Sequence, residues 1–97
     1  MIIFVDIDET ICLNEADRDY AKARSIPENI AKVNALYEQG HEIVYWTARG
    51  GTTGIDWLRI TEEQLTQWGA KYHRLEIGNK PNFDLLIDDK SRRIEEL

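Results

Sequence analysis

The chain opens on a nearly continuous apolar and β-branched run, Ile2 to Ile7, interrupted at Asp6 and closed by Asp8. A run of this kind fits a parallel strand covered on both faces. Residues 9 to 25 are polar and charged with few periodic apolar positions, and read as a loop or irregular excursion. Ser25-Ile26-Pro27-Glu28 then carries the S-x-x-E spacing of a capping box with an early proline, so a helix is expected to follow. Ile30, Val33, Leu36 and Tyr37 fall on one face of that helix, and Gly40 sits where a left-handed cap would end it.

The pattern repeats. Glu42 to Trp46 reads as a second strand running into Thr47-Ala48-Arg49, and the glycines at 50, 51 and 54 mark a flexible loop. Thr53 with Asp56 makes a second capping pattern, and Ile55, Leu58, Leu65 and Trp68 define the inward face of a helix from about 55 to 68, stopped by Gly69. Trp57 and Ile60 lie off that stripe and suggest a partly covered helix flank. Arg74 to Ile77 is a short third strand, residues 78 to 81 a turn, Asp84 to Asp88 a fourth strand, and Ser91 to Leu97 the start of a last helix. Strands alternating with helices specify an α/β fold. With no repeat, low-complexity tract or linker, residues 1–97 read as a single domain.

Composition narrows the function classes. A 97-residue chain with 42% hydrophobic residues, including three Trp, four Tyr and two Phe, has enough apolar mass for one core. No stretch approaches the roughly 20 apolar residues of a membrane span. Met1 to Val5 runs straight into Asp6 without the features of a secretory leader, and the lone Cys12 has no partner for an internal disulfide, so a reducing, cytoplasmic setting is expected. A net charge of -6 disfavours bulk nucleic-acid binding, which needs Lys and Arg against phosphates. A local site with Arg49, Lys80 and a divalent cation could still hold one phosphate.

The candidate chemistry lies at strand ends. Asp6 and Asp8 follow the first apolar run, Asp88 and Asp89 follow Leu85 to Ile87, Thr47 ends the second strand, and Lys80 lies in the turn between the third and fourth. Were the first and fourth strands parallel neighbours, all four acids would gather where open α/β sheets bind ligands, and like charges so close would need a cation. Asp6-x-Asp8 does not read as a calcium loop, because no glycine occupies the sixth position. His41 and His73 share no metal-ligand spacing and read as polar strand-flanking residues.

Asp6-Ile7-Asp8-Glu9-Thr10 after an apolar strand resembles the D-x-D-x-T motif of the haloacid dehalogenase (HAD) superfamily of phosphatases, with Thr47, Lys80 and Asp88-Asp89 resembling its second, third and fourth motifs in order. The resemblance implies a small Rossmann-like parallel sheet of about four strands, the first central, with helices on both faces. It implies Asp6 as the nucleophile forming an aspartyl phosphate and Asp8 as general acid and base. Thr47 and Lys80 would bind and stabilise the transferring phosphoryl group, and Arg49, two residues past Thr47, is a candidate substrate ligand. Mg²⁺ would be held by Asp6, Asp88 and the Asp8 backbone carbonyl, with Asp89 behind them. Charge counting favours the same hard cation, since four carboxylates against Lys80 leave three negative charges in excess.

In this superfamily a cap domain usually reads the leaving group. Here 36 residues between Thr10 and Thr47 and 32 between Thr47 and Lys80 are already used by one helix and one strand each, so no cap is expected. The expected activity is Mg²⁺-dependent hydrolysis of a small phosphorylated metabolite such as a sugar phosphate. The Trp46-Thr47-Ala48-Arg49-Gly50 segment resembles small bacterial proteins associated with capsule or surface-sugar synthesis. The alternatives are a phosphoprotein phosphatase and a catalytically idle phosphate-binding domain. The short stretch after the fourth motif leaves a sheet edge that a second copy could cover, making a homo-oligomer a further expectation.

Overall fold

The computed structural model describes residues 1–15, 19–49, 57–81 and 83–97. The principal sheet has three parallel strands, β1 (Ile2–Asp6), β4 (Glu42–Thr47) and β5 (Arg74–Ile77), in the order β1-β4-β5. Between β1 and β4, a two-residue antiparallel pair, β2 (Cys12–Leu13) with β3 (Arg24–Ser25), leads into helix α1 (Pro27–Glu38). Helix α2 (Trp57–Gln67) precedes β5. Single 3-10 turns lie at Tyr20–Lys22 and Ile94–Glu96. Among the described residues no helix is long and apolar enough to cross a membrane.

Registers explain the strand-end arrangement. Asp6 lies opposite Trp46 and Ile77 opposite Thr47, so the parallel strands finish level and deliver Asp6, Thr47 and the chain after Ile77 to one edge. Alternate residues of each strand face opposite ways. One set, Ile3 and Val5 of β1 with Ile43 and Tyr45 of β4 and Leu75 of β5, shares a core with Ile30, Val33, Leu36 and Tyr37 of α1 and with Leu65 of α2 and Trp68 just beyond it. On the opposite set Val44 is buried, while Ile2 and Phe4 are exposed.

Several expectations change here. One core joins both helices to the same set of strand positions, so the expected helices on both faces are not what the described residues form. Asp84 to Asp88 is not a strand, and its apolar residues Leu85, Leu86 and Ile87 are exposed. The run is only three residues long between acids, which are poor strand formers, and no second layer covers it. The first strand is consequently at an edge rather than central. The last helix reduces to the single turn Ile94–Glu96.

Local signals were displaced more than they were absent. Ser25 is not the N-cap of α1: its backbone pairs with Cys12, Pro27 takes the first helical turn, and Ile26 sits at the cap without a side-chain hydrogen bond. Gly40 and Gly69 end the two helices as expected, with φ of +94° and +73°. The excursion after β1 is tied down by the β2–β3 pair and by Ile26 N–H donating to the Ile11 carbonyl. The glycine loop at 50, 51 and 54 and the Thr53–Asp56 capping pattern lie outside the described residues, as does Ile55.

Candidate active site

A tight turn that includes Asp8 follows β1. Ile7 accepts from the N–H groups of Thr10 and Ile11, Glu9 N–H donates to the Cys12 carbonyl, and Glu9 adopts a left-handed φ of +65°. This places two carboxylates in different surroundings two residues apart.

Asp6 meets Lys80. The ammonium of Lys80 lies 2.7 Å from Asp6 Oδ1, although the two are 74 residues apart in sequence, and Thr10 Oγ1 donates to Asp6 Oδ2 at 3.4 Å. Lys80 is held over the Trp46 ring at 5.3 Å and the Phe83 ring at 5.5 Å from their centroids, so aromatic faces brace its charge. Trp46 is itself fixed by its indole N–H donating to Asn79 Oδ1 at 3.2 Å. The Asp6 side chain is 42% exposed, which leaves one edge of the carboxylate open to solvent beside a mostly covered lysine.

Asp8 is enclosed by donors. Thr47 Oγ1 donates to Asp8 Oδ2 at 3.3 Å, Asn14 Nδ2 to Oδ1 at 2.9 Å, and Arg49 Nη2 to Oδ1 at 2.8 Å. Burial alone would push its pKa up. The Arg49 guanidinium and the Asn14 and Cys12 side chains outweigh that and hold the Asp8 carboxyl below its ordinary value. The Cys12 thiol moves the other way: burial and the Asp8 charge push it up to about 12, so it is a protonated donor to Asp8 and not a nucleophile.

Sequence reasoning brought Asp6, Asp8, Thr47, Arg49 and Lys80 to the site, and the fold brings all five together. The Arg49 side chain is fully buried and turned onto Asp8. Asp88 and Asp89 are exposed in irregular chain past the last strand. Among the described residues no three Asp, Glu, His or Cys side chains cluster closely enough to hold a metal ion, so the expected four-carboxylate site is not assembled. Asp6 is the carboxylate with an accessible edge; the side chain of Asp8 is spent on its donors.

Participants that were missed include Asn14, Tyr20, Thr61 and Gln64. Arg49 Nη1 donates to Thr61 Oγ1 at 3.1 Å and to Gln64 Oε1 at 2.5 Å, while Gln64 Nε2 donates to the Tyr20 carbonyl at 2.6 Å. A signal for the helical pair was present. Trp57, Thr61, Gln64, Leu65 and Trp68 follow the i, i+4, i+7, i+8, i+11 spacing of one face, so two polar residues occupy core-facing positions. His73 has the structural role expected of it, accepting from the Ile43 N–H at 3.0 Å and stacking on Tyr37.

Among solved structures the chain is similar to a structural-genomics target from Vibrio cholerae, with a TM-score of 0.84 and 28% identity over 99% of this chain and 86% of that one. The likeness agrees with a small α/β fold. No family model matches the chain, and no curated protein does.

Proposed function

We propose that this chain is a small, capless member of the HAD superfamily with a Rossmann-like core, and that it hydrolyses phosphate monoesters through an aspartyl phosphate. The observation that carries the reading is the meeting of Asp6 with Lys80 at 2.7 Å, beside an Asp8 that also contacts Thr47. In this reading the free edge of Asp6 attacks phosphorus and displaces the leaving alkoxide. Lys80, fixed between two rings, offers its charge to the phosphoryl oxygens without reorganising. In this reading Thr47 turns its single hydroxyl proton, which here donates to Asp8, toward the same group.

Asp8 is ionised as it stands, which suits it to accept a proton from the water that later cleaves the aspartyl phosphate. Donating a proton to the leaving oxygen requires Asp8 to acquire one first. A phosphate dianion beside it favours that uptake, because like charge raises a carboxyl's proton affinity. Mg²⁺ belongs to the proposal on the chemistry of hard oxygen donors. The carboxylates that would hold it are not assembled among the described residues, so no step here is routed through it.

A small phosphorylated metabolite such as a sugar phosphate is the proposed substrate class. Self-association is proposed as well, because among the described residues β1 has a strand on one side only and exposes Ile2 and Phe4 near that open edge. The test is hydrolysis of an aryl phosphate by the wild-type protein with Mg²⁺, with EDTA, and by Asp6→Asn. Turnover that disappears in Asp6→Asn supports the mechanism, and disappearance in EDTA supports the cation. Activity retained by a folded Asp6→Asn protein would exclude the aspartyl phosphate.

A further inference from the structure

A guanidinium has five N–H donors and no acceptor. In Arg49 every one of them has a partner inside the protein. Nε lies 3.2 and 3.1 Å from the two Asp8 oxygens, Nη2 contacts Asp8 Oδ1 at 2.8 Å and Cys12 Sγ at 3.9 Å, and Nη1 serves Thr61 and Gln64. The Tyr20 ring covers one face of the group, 4.8 Å from its centroid to the guanidinium carbon. Gln64 is anchored in turn to the Tyr20 carbonyl, so the chain of contacts runs from the excursion after β1 through α2 to Asp8.

An arginine that binds phosphate keeps donors free in a planar fork facing the ligand. Arg49 keeps none, and its side chain is 0% exposed. Turning it outward would leave the Asp8 charge, Thr61 and Gln64 without their partner at once. We propose that Arg49 is a positioning residue: it fixes the Asp8 carboxylate from behind, aims it past Thr47, and does not bind the substrate. Its catalytic meaning rests on the phosphatase reading, whereas its geometry does not. Lysine cannot replace it, because three donors on one nitrogen do not span Asp8 and the α2 acceptors together.

Two measurements separate these levels. In ¹⁵N-labelled wild-type protein, the Arg49 Nε–H resonance, assigned by its loss in Arg49→Lys or, should that variant not fold, by triple-resonance connectivity, is expected to exchange slowly. It should stay in place as inorganic phosphate is added. A resonance that exchanges freely, or that follows the phosphate titration, overturns the proposal whether or not the protein is active. In kinetics, Arg49→Lys is expected to lower kcat by about 100-fold, the cost of a misplaced catalytic group, with KM and phosphate inhibition held within about twofold. Gln64→Leu should act in the same direction more weakly, and Arg49→Lys should cost nothing further in an Asp8→Asn background. A rise in KM and in the phosphate inhibition constant with kcat preserved would overturn the proposal in favour of substrate binding. A wild-type protein that hydrolyses no phosphate ester removes the phosphatase reading and leaves Arg49 to be decided by the resonance.

Discussion

Asp8 links the charge of one side chain to the stability of the whole fold. Its carboxyl titrates below the ordinary value in the folded protein, so the folded state binds this proton less readily than the unfolded chain does. The stabilisation is present in full above the unfolded pKa of about 4 and is lost as pH falls through the lower folded value. Thermal melts of the wild type should therefore lose midpoint temperature below about pH 4, and Asp8→Asn should flatten that part of the curve. Lys80 gives the complementary case. It touches Asp6 and two rings near the surface, so Lys80→Gln should cost little stability but lower kcat/KM by about 100-fold or more, the scale of losing one preorganised charge. Equal rates in a phosphatase assay would remove Lys80 from the mechanism.

At the level of elements, α2 shows both what the sequence discloses and where it misleads. The helix and its glycine stop were legible because Gly69 must take a positive φ and no side chain obstructs it, so the cost of replacing it comes from the backbone alone. Gly69→Ala should destabilise by about 1 kcal/mol in chemical denaturation. The face was misjudged by one position: Trp57 is 9% exposed and packs edge-on against Tyr20, whereas Leu58 is 43% exposed. A hydrophobic count alone favours Leu58. The actual face includes Thr61 and Gln64 because a buried guanidinium needs acceptors, and that need arises only once Arg49 is folded against the helix. Trp57→Ala should cost about 3 to 5 kcal/mol by denaturant titration while Leu58→Ala stays within about 0.5 kcal/mol, and the reverse order would show that the face has been assigned wrongly. The strand ends that carry Asp6 and Thr47 were equally legible, since apolar runs broken by polar residues mark them. Asp84 to Asp88 carries the same mark. What differs is the absence of a covering layer, which is a property of the packed molecule and is not encoded in three consecutive aliphatic residues.

The whole molecule is a sheet with a finished side and an unfinished one. Helices cover the core positions of β1, β4 and β5, yet among the described residues β1 has one neighbouring strand, and Ile2 at 64% and Phe4 at 51% stay exposed beside the open edge with Leu85 to Ile87 exposed as well. Light scattering is expected to report a particle heavier than the 11.3 kDa chain at micromolar concentration, and Ile2→Lys, which places a charge beside the edge, should return it to the monomer. A monomeric wild type at that concentration would count against self-association. The same asymmetry should leave a record in deuterium uptake. Amides of β4 have ladder partners on both sides, whereas in β1 only every second amide points toward a neighbour. In the monomer, residues 2 to 6 should therefore label as a comb, fast and slow in alternation, beside a β4 that labels slowly throughout, and closing of the gaps on concentration would register, amide by amide, the arrival of whatever completes the sheet.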